Sequence, residues 1–130
     1  MPHIILEYSA NLEDRLDVSA LSLVLKAAAA ATGVFQPAGI RVRAHSANYV
    51  VIADGDPRHG FVDITVRLAA GRDAAAKTRA TDAVFEAARA FTADVMASTP
   101  FMLSLELREI DPQFSRKTSS IRDYLPPEMH

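Results

Sequence analysis

The chain has no cysteine among its 130 residues. A disulfide framework and a thiolate metal site are therefore excluded. The sequence also lacks the glycine-rich loops that bind nucleotide phosphates and the GxSxG motif of serine hydrolases, which disfavours nucleotide cofactors and acyl transfer. Its amino end has no basic region, and the short apolar run Ile4-Ile5-Leu6 stops at Glu7. This pattern fits neither a secretion signal nor a membrane span, and we expect a cytoplasmic protein.

The sequence also lacks a large excess of either sign of charge. The formal net charge is −2, with 49% hydrophobic and 23% charged residues, which is typical of a soluble globular domain and not of a nucleic-acid binder. A chain of this length fits one domain. No HExxH pair occurs, and we expect no bound metal, because scattered histidines are seldom ligands. The four histidines are His3, His45, His59 and His130.

The first half of the sequence has the pattern of a β-α-β unit. Apolar and polar residues alternate over 4–8, which predicts a strand. Residues 17–33 follow with apolar side chains at helical spacing, a possible cap at Asp17 or Ser19 and a terminating Gly33. A second alternating run begins at Ile40 and ends in a stretch of turn-forming residues. The helical stripe expected to face the sheet comprises Leu21, Val24, Leu25 and Ala28.

The second half repeats this order of elements. Alternation over 60–69 predicts a strand, and a helix is predicted from Asp73 to about Ser98, with Pro100 marking its end. Another alternating run follows to residue 110. Because β-α-β crossovers are right-handed, both helices should lie on the same side of the sheet. The sequence predicts an α+β domain over residues 1–112, in which two tandem β-α-β units form a four-stranded mixed sheet.

The opposite face of this sheet would be left uncovered, with polar and apolar side chains mixed. Small two-layer domains commonly bury such a face against copies of themselves, so we expect an oligomer. The tail, residues 113–130, has no period. Its apolar residues lead us to predict that it docks on a neighbouring subunit, and a frayed terminus is the alternative. These residues are Phe114, Ile121, Tyr124 and Leu125.

Arg41, Arg43 and His45 recur at every second position and therefore share one strand face. A structural explanation needs acidic partners for them, and Glu7 and Glu106 could serve. The functional explanation is that guanidinium groups bind carboxylates through paired hydrogen bonds. These three residues are candidates for binding a small anionic substrate.

Arg72 follows a glycine in the predicted loop between the third strand and the second helix. Because the start of a helix favours anions, Arg72 could hold a second carboxylate. It could equally form a salt bridge with Asp73.

Pro2 stands directly behind Met1. If Met1 is removed, the proline nitrogen becomes a free secondary amine. An amino-terminal amine has a reference pKa of roughly 7.7–8.0, which proline would tend to exceed and which burial beside arginines would lower. A neutral amine can take a proton from an enol or a carbon and return it elsewhere. The alternative is that Pro2 is there by chance.

Four segments together resemble the tautomerase superfamily: PHIILEYSANL, ATGVFQPAGIRVRAH, the following ADG and GFVDITVRLAAGR. Within it, the sequence is similar to the 5-carboxymethyl-2-hydroxymuconate isomerases of aromatic catabolism, over about residues 2–110. The resemblance implies a cofactor-independent homotrimer. It implies Pro2 as general base and acid, and Arg41, Arg43 and Arg72 as residues that bind the substrate carboxylates or polarise the developing enolate.

Other functions stay open at this point. The same amine could act on another unsaturated acid by hydration or dehalogenation. A binding module is the second class, since ferredoxin-like RNA-binding and ligand-sensing domains share this order of elements. An RNA-binding sheet needs stacking aromatics, where these strands offer Ile5, Glu7, Asp63 and Thr65. A small-carboxylate sensor, or an inert trimeric relative of an enzyme, remains as an alternative.

Overall fold

The computed structural model describes residues 1–129, so His130, the last residue of the predicted tail, lies outside the described residues. The sheet has the order β2-β1-β3-β4. Its central pair, β1 with β3, is antiparallel, and the two outer pairs are parallel. This confirms the predicted mixed four-stranded α+β fold. The elements are β1 (His3–Ser9), α1 (Val18–Ala31), β2 (Arg41–Ala47), β3 (Gly60–Ala69), α2 (Ala74–Phe91), α3 (Ala93–Ser98) and β4 (Phe101–Ile110).

The core lies between one face of the sheet and the helices. The central strands supply most of it, because only they have a hydrogen-bonded neighbour on each side and helices above. On β1, Ile4 and Leu6 are fully buried, as predicted from the alternation, and the same holds for alternate residues of β3. The other large contributors to this cluster are Val62, Ile64, Val66, Leu68, Leu21, Leu25 and Val84.

The predicted start and end of α1 are confirmed, but its stripe is partly wrong. Asp17 caps the helix, with its Oδ1 accepting a hydrogen bond from the Ala20 amide at 2.9 Å. Gly33 follows with a φ of 71°. The buried series is Leu21, Leu25 and Ala29, whereas Val24 is 36% exposed. Since successive helical residues are about 100° apart, Val24 lies far around the helix from the centre of this series.

The second predicted helix is divided into α2 and α3. Asp73 caps α2, accepting from the Ala76 amide at 2.8 Å. The helix ends at Phe91, and Thr92 joins it to α3 with φ −94° and ψ 9°. Thr92 is 1% exposed, and its hydroxyl donates to the Ala88 carbonyl at 2.8 Å. Val95 stays buried, so the apolar stripe continues across the junction.

The tail follows β4 with three short 3-10 turns, at Pro112–Phe114, Ile121–Tyr124 and Pro127–Met129. It runs close to the amino end of β1, and Arg122 donates a hydrogen bond to the Gln36 side chain at 2.9 Å. Phe114 and Tyr124 are exposed. Docking of the tail on a neighbouring subunit stays a prediction. Within residues 1–129, none of the helices has the length and apolarity needed to cross a membrane.

Candidate active site

Pro2 is buried at the point where β1 enters the sheet. Its carbonyl accepts a hydrogen bond from the Arg41 amide at 3.1 Å, which ties the amino end to the start of β2. The preceding 3-10 turn, Pro37–Gly39, brings its glycine against the proline ring, where a Cβ on Gly39 would lie 3.5 Å from Pro2 Cδ. The amino end is therefore held in a fixed position by the main chain of β2 and this turn.

A cavity of about 530 Å³ opens beside Pro2. One side is formed by the amino end and the 36–39 segment, and Arg72 contributes from the loop after β3. The tail closes the other side with residues 117–119 and 121–123. The charged side chains around the cavity are Arg72, Lys117, Arg122 and Asp123, so cations outnumber the single carboxylate. Such a lining suits a small anion.

Arg72 is fixed by three contacts. Its Nε donates to the Val34 carbonyl at 3.2 Å and its Nη1 to the Ala69 carbonyl at 3.1 Å. The guanidinium also lies over the ring of Phe35, 5.3 Å from the centroid. Within the described part of the chain no ion pair joins it to Asp73, which caps α2 instead. Because a guanidinium has five donors, the Nη2 group remains for a ligand.

Arg41 and Arg43 lie on the open face of the sheet, as the alternation predicted. The Nη1 of Arg41 is 3.0 Å from the sulfur of Met1, so Arg41 reaches the amino end directly. Arg43 lies two residues further along β2 and donates to Nδ1 of His3 at 3.1 Å. Arg43 does not line the cavity beside Pro2.

His45 is separate from this group. It lies opposite Glu7, four residues beyond Arg41 on β2 and therefore about 13 Å along the strand. Glu106, the other expected acidic partner, pairs with Arg108. The structure brings Pro2, Arg41 and Arg72 together, but not His45.

The terminal amine of the described chain belongs to Met1. Its pKa is lowered, first by burial and then by the positive charges of Lys117, Arg72 and Arg41. Both effects disfavour the protonated form. An amine at this end of the chain is therefore less basic than an ordinary one.

Sequence reasoning missed two parts of the site. Gln36 and Gly39 lie within the segment ATGVFQPAGIRVRAH, but neither residue type by itself indicates a place in a site. Lys117 was missed because the tail has no hydrophobic period from which a position could be derived. Only the course of the tail past β1 identifies it.

Comparisons with known proteins match this chain over nearly its whole length. The family model of 5-carboxymethyl-2-hydroxymuconate isomerase matches residues 2–125. The 5-carboxymethyl-2-hydroxymuconate Delta-isomerase of Escherichia coli is 33% identical over 121 residues, which are 93% of this chain and 96% of that protein.

Two crystal structures are similar in fold and sequence. A 5-carboxymethyl-2-hydroxymuconate delta-isomerase superposes with a TM-score of 0.88 at 28% identity, covering 95% of this chain and 92% of the other. A 5-carboxymethyl-2-hydroxymuconate isomerase from Deinococcus radiodurans R1 gives a TM-score of 0.87 at 31% identity, covering 96% and 95%. The chain belongs to the 5-carboxymethyl-2-hydroxymuconate isomerase family.

Proposed function

We propose that the chain, once Met1 is removed, is an isomerase that converts 5-carboxymethyl-2-hydroxymuconate from its dienol to its conjugated ketone, in aromatic catabolism and without a cofactor. One observation carries the proposal. Pro2 is buried beside a cavity lined by Arg72 and Lys117, and the positive charges of these two residues and of Arg41 act on the amino terminus. The family to which the chain belongs supplies the substrate.

Pro2 is the general base and acid of this proposal. Removal of Met1 turns its amide nitrogen into a secondary amine, close to the charges that lower the pKa of the Met1 amine. Burial and these cations disfavour the protonated form of the Pro2 amine for the same reason. A base that is neutral near the working pH can both take and return a proton.

The proton balance is simple. The Pro2 nitrogen takes the proton of the 2-hydroxyl group, the C2–O bond becomes a carbonyl, and the C2=C3 double bond moves to C3=C4. The electron pair of the former C4=C5 bond then takes the same proton at C5. Negative charge develops on the oxygen during the transfer, and Arg41 and Arg72 stabilise it. Arg43 lies further along the sheet and assists in binding a carboxylate.

We further propose that the active protein is a homotrimer in the cytoplasm. The face of the sheet opposite the helices is uncovered in one chain, and it carries Ile5, Phe61 and Met102 among polar side chains. Copies that bury this face against each other would remove these apolar groups from water. Since each chain has one Pro2, the trimer has three equivalent sites.

The test combines two measurements on untagged protein: its intact mass, and its rate of ketonisation followed by ultraviolet absorbance. We expect a mass that lacks methionine, and a lower rate for Pro2→Ala, which keeps an amino-terminal amine but exchanges the secondary amine of proline for a primary one. Pro57→Ala, an exposed loop proline, is the matched control and should be as fast as wild type. Retained Met1, or a Pro2→Ala variant that keeps the wild-type rate, would refute the proposal.

A further inference from the structure

Four basic side chains form one row across the open face of the sheet. In the β1–β2 register His3 is the partner of Arg41, and in the β1–β3 register it is the partner of Arg67. Arg67 in turn is the partner of Arg108 on β4. Since neighbouring strands are about 4.8 Å apart, Arg41 and Arg67 stand roughly 10 Å apart across His3. Like charges this close repel each other unless anions or acidic groups lie among them.

A second cavity, of about 670 Å³, opens over this row. It lies at the end of the sheet face away from Phe61 and Met102, which are six residues along β3 and β4 and belong to the part that the proposed trimer would bury. His3, Arg41 and Arg67 line it from the sheet, while Arg116 and Lys117 line it from the tail. Met1 and Lys117 also line the cavity beside Pro2. The two cavities therefore adjoin across these two side chains, of which the proposed function removes Met1.

The charges in the second cavity are not balanced by the protein. Its one carboxylate, Asp111, accepts a hydrogen bond from the Gln113 amide and so holds the start of the tail. Arg116 donates to the main-chain carbonyls of Gln113 and Ser115. Of the residues that the structure describes, none provides a carboxylate partner for Arg67 or Lys117.

Two other members of the row, Arg108 and His3, differ in this respect. Arg108 pairs with Glu106 and lies outside the cavity. His3 accepts a hydrogen bond from Arg43, and its pKa is lowered by burial and by the charges of Arg67, Arg43 and Arg41. A neutral His3 adds no positive charge but keeps one ring nitrogen as a donor. Arg41, Arg67 and Lys117 are therefore cations of this site for which the described residues provide no carboxylate partner.

We propose that the second cavity is a subsite for an additional carboxylate of the substrate, which Arg67 and Lys117 bind. Arg72 lines the cavity at the reacting end, and Arg41 reaches from the second cavity to the amino end. The inference rests on the proposed function for the identity of its occupant, the carboxymethyl group. It makes the chain selective for substrates with three carboxylates over those with two. Arg67 binds but does not react, so its loss weakens substrate binding more than turnover.

The experiment compares Arg67→Gln with Arg108→Gln, the matched change of a neighbouring but paired cation. Ketonisation of 5-carboxymethyl-2-hydroxymuconate is measured beside that of 2-hydroxymuconate, which has only two carboxylates. For Arg67→Gln we expect kcat/KM on the first substrate to fall at least about tenfold, through KM, and on the second less than about twofold. Arg108→Gln should change neither.

A binding arm makes the result independent of turnover. Propane-1,2,3-tricarboxylate and pentanedioate are titrated calorimetrically into each protein, and Arg67→Gln should weaken only the tricarboxylate. A wild type that shows this preference without ketonising either dienol would overturn the proposed function and support the subsite.

Three results would overturn the subsite. Equal weakening of both carboxylates by Arg67→Gln would mean a general electrostatic effect. An unchanged Arg67→Gln would mean that the anion does not reach it. A lower oligomeric mass for Arg67→Gln, with binding otherwise equal for the two probes, would mean that Arg67 pairs with a neighbouring subunit.

Discussion

Lys117 is the first of the charged groups that lower the pKa of the terminal amine, after burial itself. Arg122 offers a close comparison, because it lines the same cavity from the same tail but is held by Gln36 and is not among the charges acting on the amine. The two residues separate a specific electrostatic role from a general contribution of the tail to the cavity.

We predict that Lys117→Gln raises the pKa of the catalytic amine. With one positive charge removed, the protonated form is less disfavoured, so a higher pH is needed to free the base. The acidic limb of the kcat/KM profile should move to higher pH, whereas Arg122→Gln should leave the limb in place. The pH dependence of ketonisation measures both. A shift shared equally by the two variants, or absent from Lys117→Gln, would contradict the assignment.

The same lowered pKa has a consequence for stability. Between the folded and unfolded pKa values the unfolded chain binds more protons, so the free energy of unfolding rises with pH through that window. Above the unfolded value the penalty for burying a charged amine has disappeared.

At the scale of elements, α1 and α2 begin with the same kind of capping hydrogen bond, but only the start of α2 lies beside the candidate site. Asp17 and Asp73 each accept a hydrogen bond from an amide three residues on. Asp73 also directly follows Arg72, whose guanidinium is held by main-chain carbonyls and by the ring of Phe35. Fraying the start of α2 would loosen these contacts.

We predict that Asp17→Ala and Asp73→Ala each lower the free energy of unfolding by about 1 kcal/mol, the usual effect of losing a helix cap. Only Asp73→Ala should also lower kcat/KM, because it displaces Arg72. Chemical denaturation and the ketonisation assay separate the two effects. A full rate for Asp73→Ala, despite its loss of stability, would show that the cap does not position Arg72.

Local sequence patterns predicted which strands and helices form better than they predicted the buried face or the interruption of a helix. Alternation located all four strands because the inner face of the sheet is packed by helices while the outer one is open. The stripe of α1 was misplaced at Val24, since helical spacing alone does not say where the centre of the buried face lies. The break at Thr92 could not be derived, because a threonine is tolerated within a helix and its buried hydroxyl bond depends on packing.

The residues of the candidate site also differ in whether the sequence alone could predict them. Pro2, Arg41 and Arg72 were identified from short segments whose residue types suggest the chemistry. Arg67 lies on the same face of its strand as Asp63 and Thr65, but its proximity to His3 and Arg41 depends on the strand order and register of the sheet. Lys117 depends on the path of a tail without a period. Residues brought together by topology need the fold before their role can be inferred.

At the scale of the whole molecule, the open sheet face is the surface that we propose to be buried between subunits. We predict a trimer of three 14.1 kDa chains, 42.3 kDa together, in sedimentation equilibrium. Ile5→Arg should lower this mass, since it places a charge at the centre of that face. Leu23→Arg, on the exposed side of α1, should leave the mass unchanged. A wild type that sediments as a monomer would exclude the trimer.

The central claim is that the amine of Pro2 is a free base, made less basic by its surroundings. Its most direct test is a ¹⁵N NMR titration of protein labelled in proline. We expect the Pro2 nitrogen to titrate below the value of an amino-terminal proline in an unfolded peptide, with the same pKa as the acidic limb of kcat/KM. A Pro2 nitrogen that does not titrate, because Met1 is still attached, or one that titrates above this value, would contradict the claim.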